Sequence, residues 1–264
     1  MKKFLILIII LISFIVSNLV LFGCIQNQNK DETVELLVSA AASLTDALEE
    51  IKELYTEENK NITVTYNFAG SGSLQQQIEQ GAPVDVFISA ASRYMNDLEQ
   101  KNLIMDGTRI DLVMNKLVLI VPAASDVQSD DFQVLVKDEI KKIAIGEPAS
   151  VPAGKYATQV FEHFGILKDI EAKFIYGKDV RQVLTWVETN NVDAGIVYAS
   201  DAVQADKIRI LSEAPEGSHE PIIYPAAVIK NSRHAEQAQN FLDFLTTSRA
   251  QEIFARHGFS VLID

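Results

Sequence analysis

From Val34 onward the chain alternates short runs of β-branched and apolar residues with longer stretches in which apolar positions recur every three or four residues. That alternation is the mark of α/β units, where each strand is followed by a helix that packs back on the sheet. Residues 35–40 (ELLVSA) read as a strand, and Leu44, Ala47, Leu48, Ile51, Leu54 and Tyr55 then define one buried face of a helix. Residues 62–68 and 84–89 read as further strands, with a short helix over 74–80 between them and another helix over 93–101. A long apolar strand at 117–121, closed by Pro122, opens a second series. There, strands at 142–146, 172–176 and 194–198 alternate with helices at 154–164 and 180–188. A last strand at 222–229 and helices at 235–245 and 249–257 complete the pattern. No internal repeat or low-complexity tract interrupts it.

The strands at 117–121 and 222–229 stand where a chain can cross between two lobes and return. The expectation is an α/β molecule with two lobes, each a mixed, mainly parallel sheet flanked by helices. Residues 34–118 plus 226–264 form the first lobe and 119–225 the second. A ligand then belongs in the cleft between the lobes, outside the C-terminal ends of the strands.

The N-terminus carries a different signal. Lys2 and Lys3 precede an apolar run over 4–22 that only Ser13, Ser17 and Asn18 interrupt. A short positive end followed by an apolar core reads as a signal segment over 1–23. The run is also nearly long enough to span a bilayer, so an uncleaved anchor is the alternative. Leu21-Phe22-Gly23-Cys24 resembles a lipoprotein processing box, with Cys24 receiving the lipid. Cys24 is the single cysteine of the chain, so no internal disulfide can form. Residues 24–33 are polar and aperiodic, as a tether between membrane and folded body should be. The expected location is therefore the outer face of the cell membrane.

Charge narrows the class of partner. The formal net charge is −13, and removal of residues 1–23 would take away two lysines and no acid. Such a surface repels nucleic acid. An enzyme is also not expected. There is no nucleophile elbow, no phosphate loop ending in Gly-Lys-Ser/Thr, and no close metal-ligating pair among His163, His219, His234 and His257.

Four segments share one design, in which a strand ends, small residues turn, and a helix begins with unsatisfied backbone N–H groups. The first is Ala40-Ala41-Ala42-Ser43-Leu44-Thr45-Asp46, where Ser43 and Asp46 have capping-box spacing. Ser43 can cap its helix and still donate its own hydrogen to an anion. The second is Phe68-Ala69-Gly70-Ser71-Gly72-Ser73, whose glycines permit close backbone approach to a ligand. In the third, 147–156, Pro152 suits a first helical turn and Ala153 and Gly154 leave their amides unobstructed. The fourth is Gly177-Lys178-Asp179-Val180-Arg181-Gln182, with Asp179 and Gln182 as a capping pair and Val180 offering its amide. Tyr198 ends a strand and can aim its phenol at the same cleft, although a tyrosine so placed is commonly interior packing with a hydrogen-bonded tip. The common output is neutral donors. Each bond to a charged acceptor is worth about 1.5–3 kcal/mol, and each helix start adds roughly half a positive charge. Screening limits the distant acidic surface to a reach of about 8 Å, so local dipoles decide.

Taken together, AASLTDALEEI, FAGSGSLQQQIEQGAPVDVFISA, EPASVPAGKYA, GKDVRQVL, GIVYASDAV and the closing QEIF with His257-Gly258-Phe259 resemble the bacterial-type molybdate-binding proteins of ABC importers. The resemblance runs from about residue 35 to residue 259. It implies a type II-like periplasmic-binding-protein fold and a tetrahedral oxyanion, molybdate or tungstate, held without charged side chains. By resemblance the ligands are Ser43, Ser71, Ala153, Val180 and Tyr198. Hydroxyls come from Ser43, Ser71 and Tyr198, and amides from Ser43, Ser71, Ala153 and Val180. It also implies no cofactor, no direct metal ligand, a monomer, and a permease with its cytoplasmic ATPase as partner. The loop at Gly70-Ser71-Gly72 is richer in glycine than the family's serine-rich loop. Related archaeal binders add two carboxylates to the metal, a role for which Glu147 and Asp179 lie near enough but which the resemblance does not support. A binding protein for sulfate or another small anion is the alternative, since a pocket of donors suits any fully ionised anion.

Overall fold

The computed structural model describes residues 33–203 and 205–262; the signal segment, Cys24 and the tether to residue 32 lie outside them. Strand β1 (Val34–Ala41) buries Leu36, Val38 and Ala40 completely. A 3-10 turn (Ala42–Leu44) leads into α1 (Thr45–Glu58), whose buried face is Ala47, Leu48, Ile51 and Tyr55, as the spacing predicts. There follow β2 (Ile62–Ala69), α2 (Ser71–Glu79), β3 (Val86–Ile88), α3 (Ser92–Gln100), β4 (Ile110–Asn115) and β5 (Leu117–Pro122). The second series comprises β6 (Ile143–Gly146), α4 (Pro152–His163), α5 (Leu167–Ile170), β7 (Phe174–Gly177), α6 (Val180–Glu188), β8 (Ala194–Tyr198), α7 (Ala199–Ala202) and β9 (Ile208–Glu213). Last come β10 (Ile222–Val228), α8 (Ala235–Leu245), α9 (Ser248–Arg256) and β11 (Ser260–Val261).

Two mixed sheets result. One runs β11-β4-β10-β3-β1-β2 and the other β7-β6-β8-β5-β9. Pairing is parallel where strands carry the helices that point at the cleft, as in β1 with β2 and β3, and β6 with β7 and β8. It is antiparallel wherever β4, β5, β9, β10 or β11 takes part. Strands β4, β9 and β11 were not expected from the sequence. Every residue of β9 is at least partly exposed, so that edge strand has no apolar run to betray it.

The chain passes from the first sheet to the second through Lys116 alone, because Asn115 ends β4 and Leu117 starts β5. It returns between Glu213 and Ile222. Thus β5 lies wholly in the second sheet and β10 wholly in the first. The C-terminal helices come back to the first sheet's side: the Tyr55 ring packs edge-on against Phe241 and Phe244 at 5.0 and 5.1 Å. Edge-to-face pairs of this kind contribute about 0.5–1.5 kcal/mol beyond their buried area. A further file of rings, Phe254, Phe259, Tyr224 and Tyr198, runs inward from α9 toward the cleft.

Candidate functional site

The strand ends and helix starts named above converge. A small cavity is lined by Ala41, Ala42 and Ser43 after β1, by Ala69, Gly70 and Ser71 after β2, and by Ala90 after β3. From the second sheet come Val151 and Pro152 at the start of α4, Asp179 and Val180 at the start of α6, and Tyr198 at the end of β8. Ser43, Ser71, Val180 and Tyr198 therefore meet at one place, contributed by both sheets. Ala153 does not line the cavity; it sits 1 % exposed one position beyond Pro152, which does.

Ser43 is 6 % exposed and does not cap its helix. The extra 3-10 turn delays the start of α1 to Thr45, and no side chain caps either segment. That correction to the expected capping box frees both partners for other work. The Ser43 hydroxyl lies 2.8 Å from the Tyr224 hydroxyl, and Asp46 pairs with Arg181 at 2.7 Å. The second expected cap is present, since Asp179 Oδ1 accepts from the Gln182 amide at 2.8 Å and Gln182 Oε1 accepts from the Lys178 amide at 2.9 Å. Pro152 occupies the first turn of α4, as expected.

Ser71 is fully buried at the first position of α2 and accepts from the Ala90 amide at 3.0 Å. Its own hydroxyl hydrogen is left to donate. The amides of Ser43, Ser71, Ala153 and Val180 donate to no acceptor among the described residues. For the last three, as first-turn groups, that is the condition helix geometry imposes. The Tyr198 hydroxyl is buried without a hydrogen-bond partner among the described residues. A buried polar group in that state is costly and calls for a ligand or water. Burial pushes the Tyr198 phenol well above its ordinary pKa, so it stays a donor.

The lining holds no lysine or arginine. Its one carboxylate, Asp179, is engaged by the Gln182 amide. A second acid stands just behind. Asp201 is 2 % exposed, its Oδ2 accepts from the Tyr198 amide at 3.3 Å, and its Oδ1 has no partner. Burial raises the Asp201 carboxyl to about 7 despite the opposing charge of Arg181. Glu147 is absent from the lining, and no group of three His, Cys, Asp or Glu able to hold a metal occurs among the described residues.

Helices on the first sheet's side touch the loop before α4 across the cleft. The Gly72 amide donates to Ser150 O at 2.9 Å, and Arg93 donates to Ala149 O at 3.1 Å. The glycines of this loop thus serve approach of protein backbone as well as of a ligand. A Cβ at Gly72 would lie 2.8 Å from Ser150 Cα, closer than such atoms can come.

Residues 36–260 match the family model described as bacterial extracellular solute-binding protein. The chain belongs to that family. This solute-binding protein is 40% identical over 254 residues to the putative ABC transporter substrate-binding lipoprotein YvgL of Bacillus subtilis, covering 95% of this chain and 97% of the relative. It is 36% identical to the molybdate-binding protein ModA of Haemophilus influenzae, over 86% and 91% of the two chains. Among solved structures, the substrate binding domain of a putative molybdenum ABC transporter from Clostridium difficile superposes with a TM-score of 0.68 at 44% identity, over 87% of this chain and 99% of that one.

Sequence reasoning missed the groups that stand behind the solute-binding protein's pocket. Tyr224 bonds to the lining residue Ser43, Asn115 bonds to Tyr224, and Ser150 O accepts from Gly72 next to the lining residue Ser71; none of the three lines the cavity itself. The one available signal was Tyr224 itself, a phenol inside an otherwise apolar strand, whose tip must find a partner.

Proposed function

We propose that this solute-binding protein captures molybdate or tungstate outside the cell and hands it to an ABC importer, a permease with its cytoplasmic ATPase. The observation that carries this reading is the donor-rich cavity, where hydroxyls and helix-start amides from both sheets face one small space without a cation and the single lining carboxylate, Asp179, caps its own helix. Ser43, Ser71, Ala153, Val180 and Tyr198 are the proposed ligands. For Ala153 the support is its unpaired first-turn amide beside Pro152. A fully ionised tetrahedral dianion accepts from every such donor and needs no acceptor in return, whereas a protonated anion does. Sulfate meets the same test and is the second reading; the larger oxyanion is preferred because the molybdate-binding relatives cover nearly the whole folded body.

The protein acts as a monomer without a cofactor, tethered through lipid on Cys24 after loss of residues 1–23. The lobe boundaries belong at the two crossovers, Lys116 and residues 214–221, rather than at 118/119 and 225/226, because β5 pairs wholly within the second sheet and β10 wholly within the first; the lobes open and close about those crossovers. Equilibrium dialysis of the purified folded body against molybdate tests the reading. One anion retained per chain supports it, and no retention at millimolar anion sinks it.

A further inference from the structure

Tyr224 is fully buried in β10, and its hydroxyl sits between two partners, Ser43 Oγ at 2.8 Å and Asn115 Nδ2 at 3.3 Å. The orientation of the Asn115 amide is fixed from two sides. Its Oδ1 accepts from the Lys116 amide at 2.9 Å, which can only donate, and its Nδ2 also donates to Ser200 Oγ at 2.8 Å. An amide nitrogen has no acceptor capacity, so the Tyr224 oxygen must accept from Asn115. The phenolic hydrogen then has one acceptor among the described residues, Ser43 Oγ. Were Ser43 to donate to Tyr224 instead, the phenolic hydrogen would be stranded in the interior, which a buried donor strongly resists. Burial also holds the Tyr224 phenol protonated.

With one of its two lone pairs occupied by Tyr224, Ser43 still has its own hydrogen to donate, and Ser43 lines the cavity. We propose that Asn115 and Tyr224 are positioning residues: they form a one-way hydrogen-bond relay that locks the Ser43 hydroxyl as a donor toward the bound oxyanion. This rests on the oxyanion reading of the site. Neither residue touches the ligand. They act by removing the rotamers in which Ser43 would present a lone pair to an anion, and by polarising its O–H along the chain of bonds.

The test is a double-mutant cycle read by calorimetric titration with molybdate. Tyr224→Phe alone should weaken binding roughly tenfold, the scale of one lost hydrogen bond to a charged acceptor. The same change in a Ser43→Ala background should produce no further loss, because the relay then has nothing to orient. An equal loss in both backgrounds would mean that Tyr224 acts by packing alone, and a loss under twofold in the wild-type background would mean that it does not act; either overturns the proposal. If Tyr224→Phe fails to fold, Asn115→Ala is carried through the same cycle, with several-fold weakening expected alone and none beside Ser43→Ala. Wild-type protein that binds no molybdate would overturn the oxyanion reading together with the relay, whereas normal wild-type binding with an additive cycle removes the relay only.

Discussion

The Gly72 amide reaches across the cleft to Ser150 O at 2.9 Å, so a backbone group of α2 is bonded to the loop that launches α4. This contact joins the two sheets' sides at the rim of the cavity, and it is possible because position 72 has no Cβ. Closure of the site and absence of a side chain at Gly72 are therefore one requirement.

Gly72→Ala places a methyl 2.8 Å from Ser150 Cα. The helix itself tolerates alanine well, so the free protein should melt within a few degrees of wild type or slightly above it. Molybdate affinity should fall at least tenfold, since closure must now displace the 150 loop. Unchanged affinity would show that the loop yields without cost.

Removing the hydroxyls of Ser43 and Ser71 together should weaken oxyanion binding by roughly a hundredfold or more, from two bonds to a charged acceptor. Titration of the Ser43→Ala/Ser71→Ala variant measures this directly. Affinity within a few-fold of wild type would mean that the anion sits elsewhere.

Arg181 and Asp46 pair at 2.7 Å between α6 and α1, with side chains 36% and 38% exposed. Ion pairs in such water-accessible settings are worth about 0–1 kcal/mol and weaken with salt. Arg181→Gln should accordingly reduce affinity by no more than a few-fold at low ionic strength, and the difference from wild type should vanish in concentrated salt. A loss of a hundredfold would instead make Arg181 a direct ligand.

Asp201 makes stability depend on pH in an unusual direction. Its carboxyl titrates at about 7 in the folded protein against 3.8 ordinarily. Between those values the folded state holds a proton that the unfolded state has released, so stability falls as pH rises from about 4 to about 7 and then levels off. The loss amounts to a few kcal/mol, on the order expected for a shift of this size. Asp201→Asn, whose oxygen can still accept from the Tyr198 amide, should therefore raise the melting temperature at pH 8 and leave it nearly unchanged at pH 4. An equal gain at both values would remove ionisation of Asp201 as the cause.

The helix periodicities and the four strand-to-helix turns were legible because each is written locally. The buried face of α1 and the Asp179–Gln182 cap follow from spacing alone. Three features were not legible. The 3-10 turn at Ala42–Leu44 moved the start of α1 past Ser43, because a partner on β10, distant in sequence, outweighed a local cap. The edge strand β9 lacks the apolar run by which strands are recognised. Ser150 sits opposite Gly72 only after both sheets have formed, so the glycines read as making room for a ligand when they also make room for backbone. Ser43, Ser71, Val180 and Tyr198 line one cavity, while Ala153 stands one residue back from the wall.

The most direct measurement is a calorimetric titration of the purified folded body with molybdate, tungstate and sulfate in turn, at neutral pH. The account predicts one site per chain for molybdate and tungstate, with sulfate weaker, the preference suggested by the molybdate-binding relatives. Absence of heat and of competition for all three anions would contradict it.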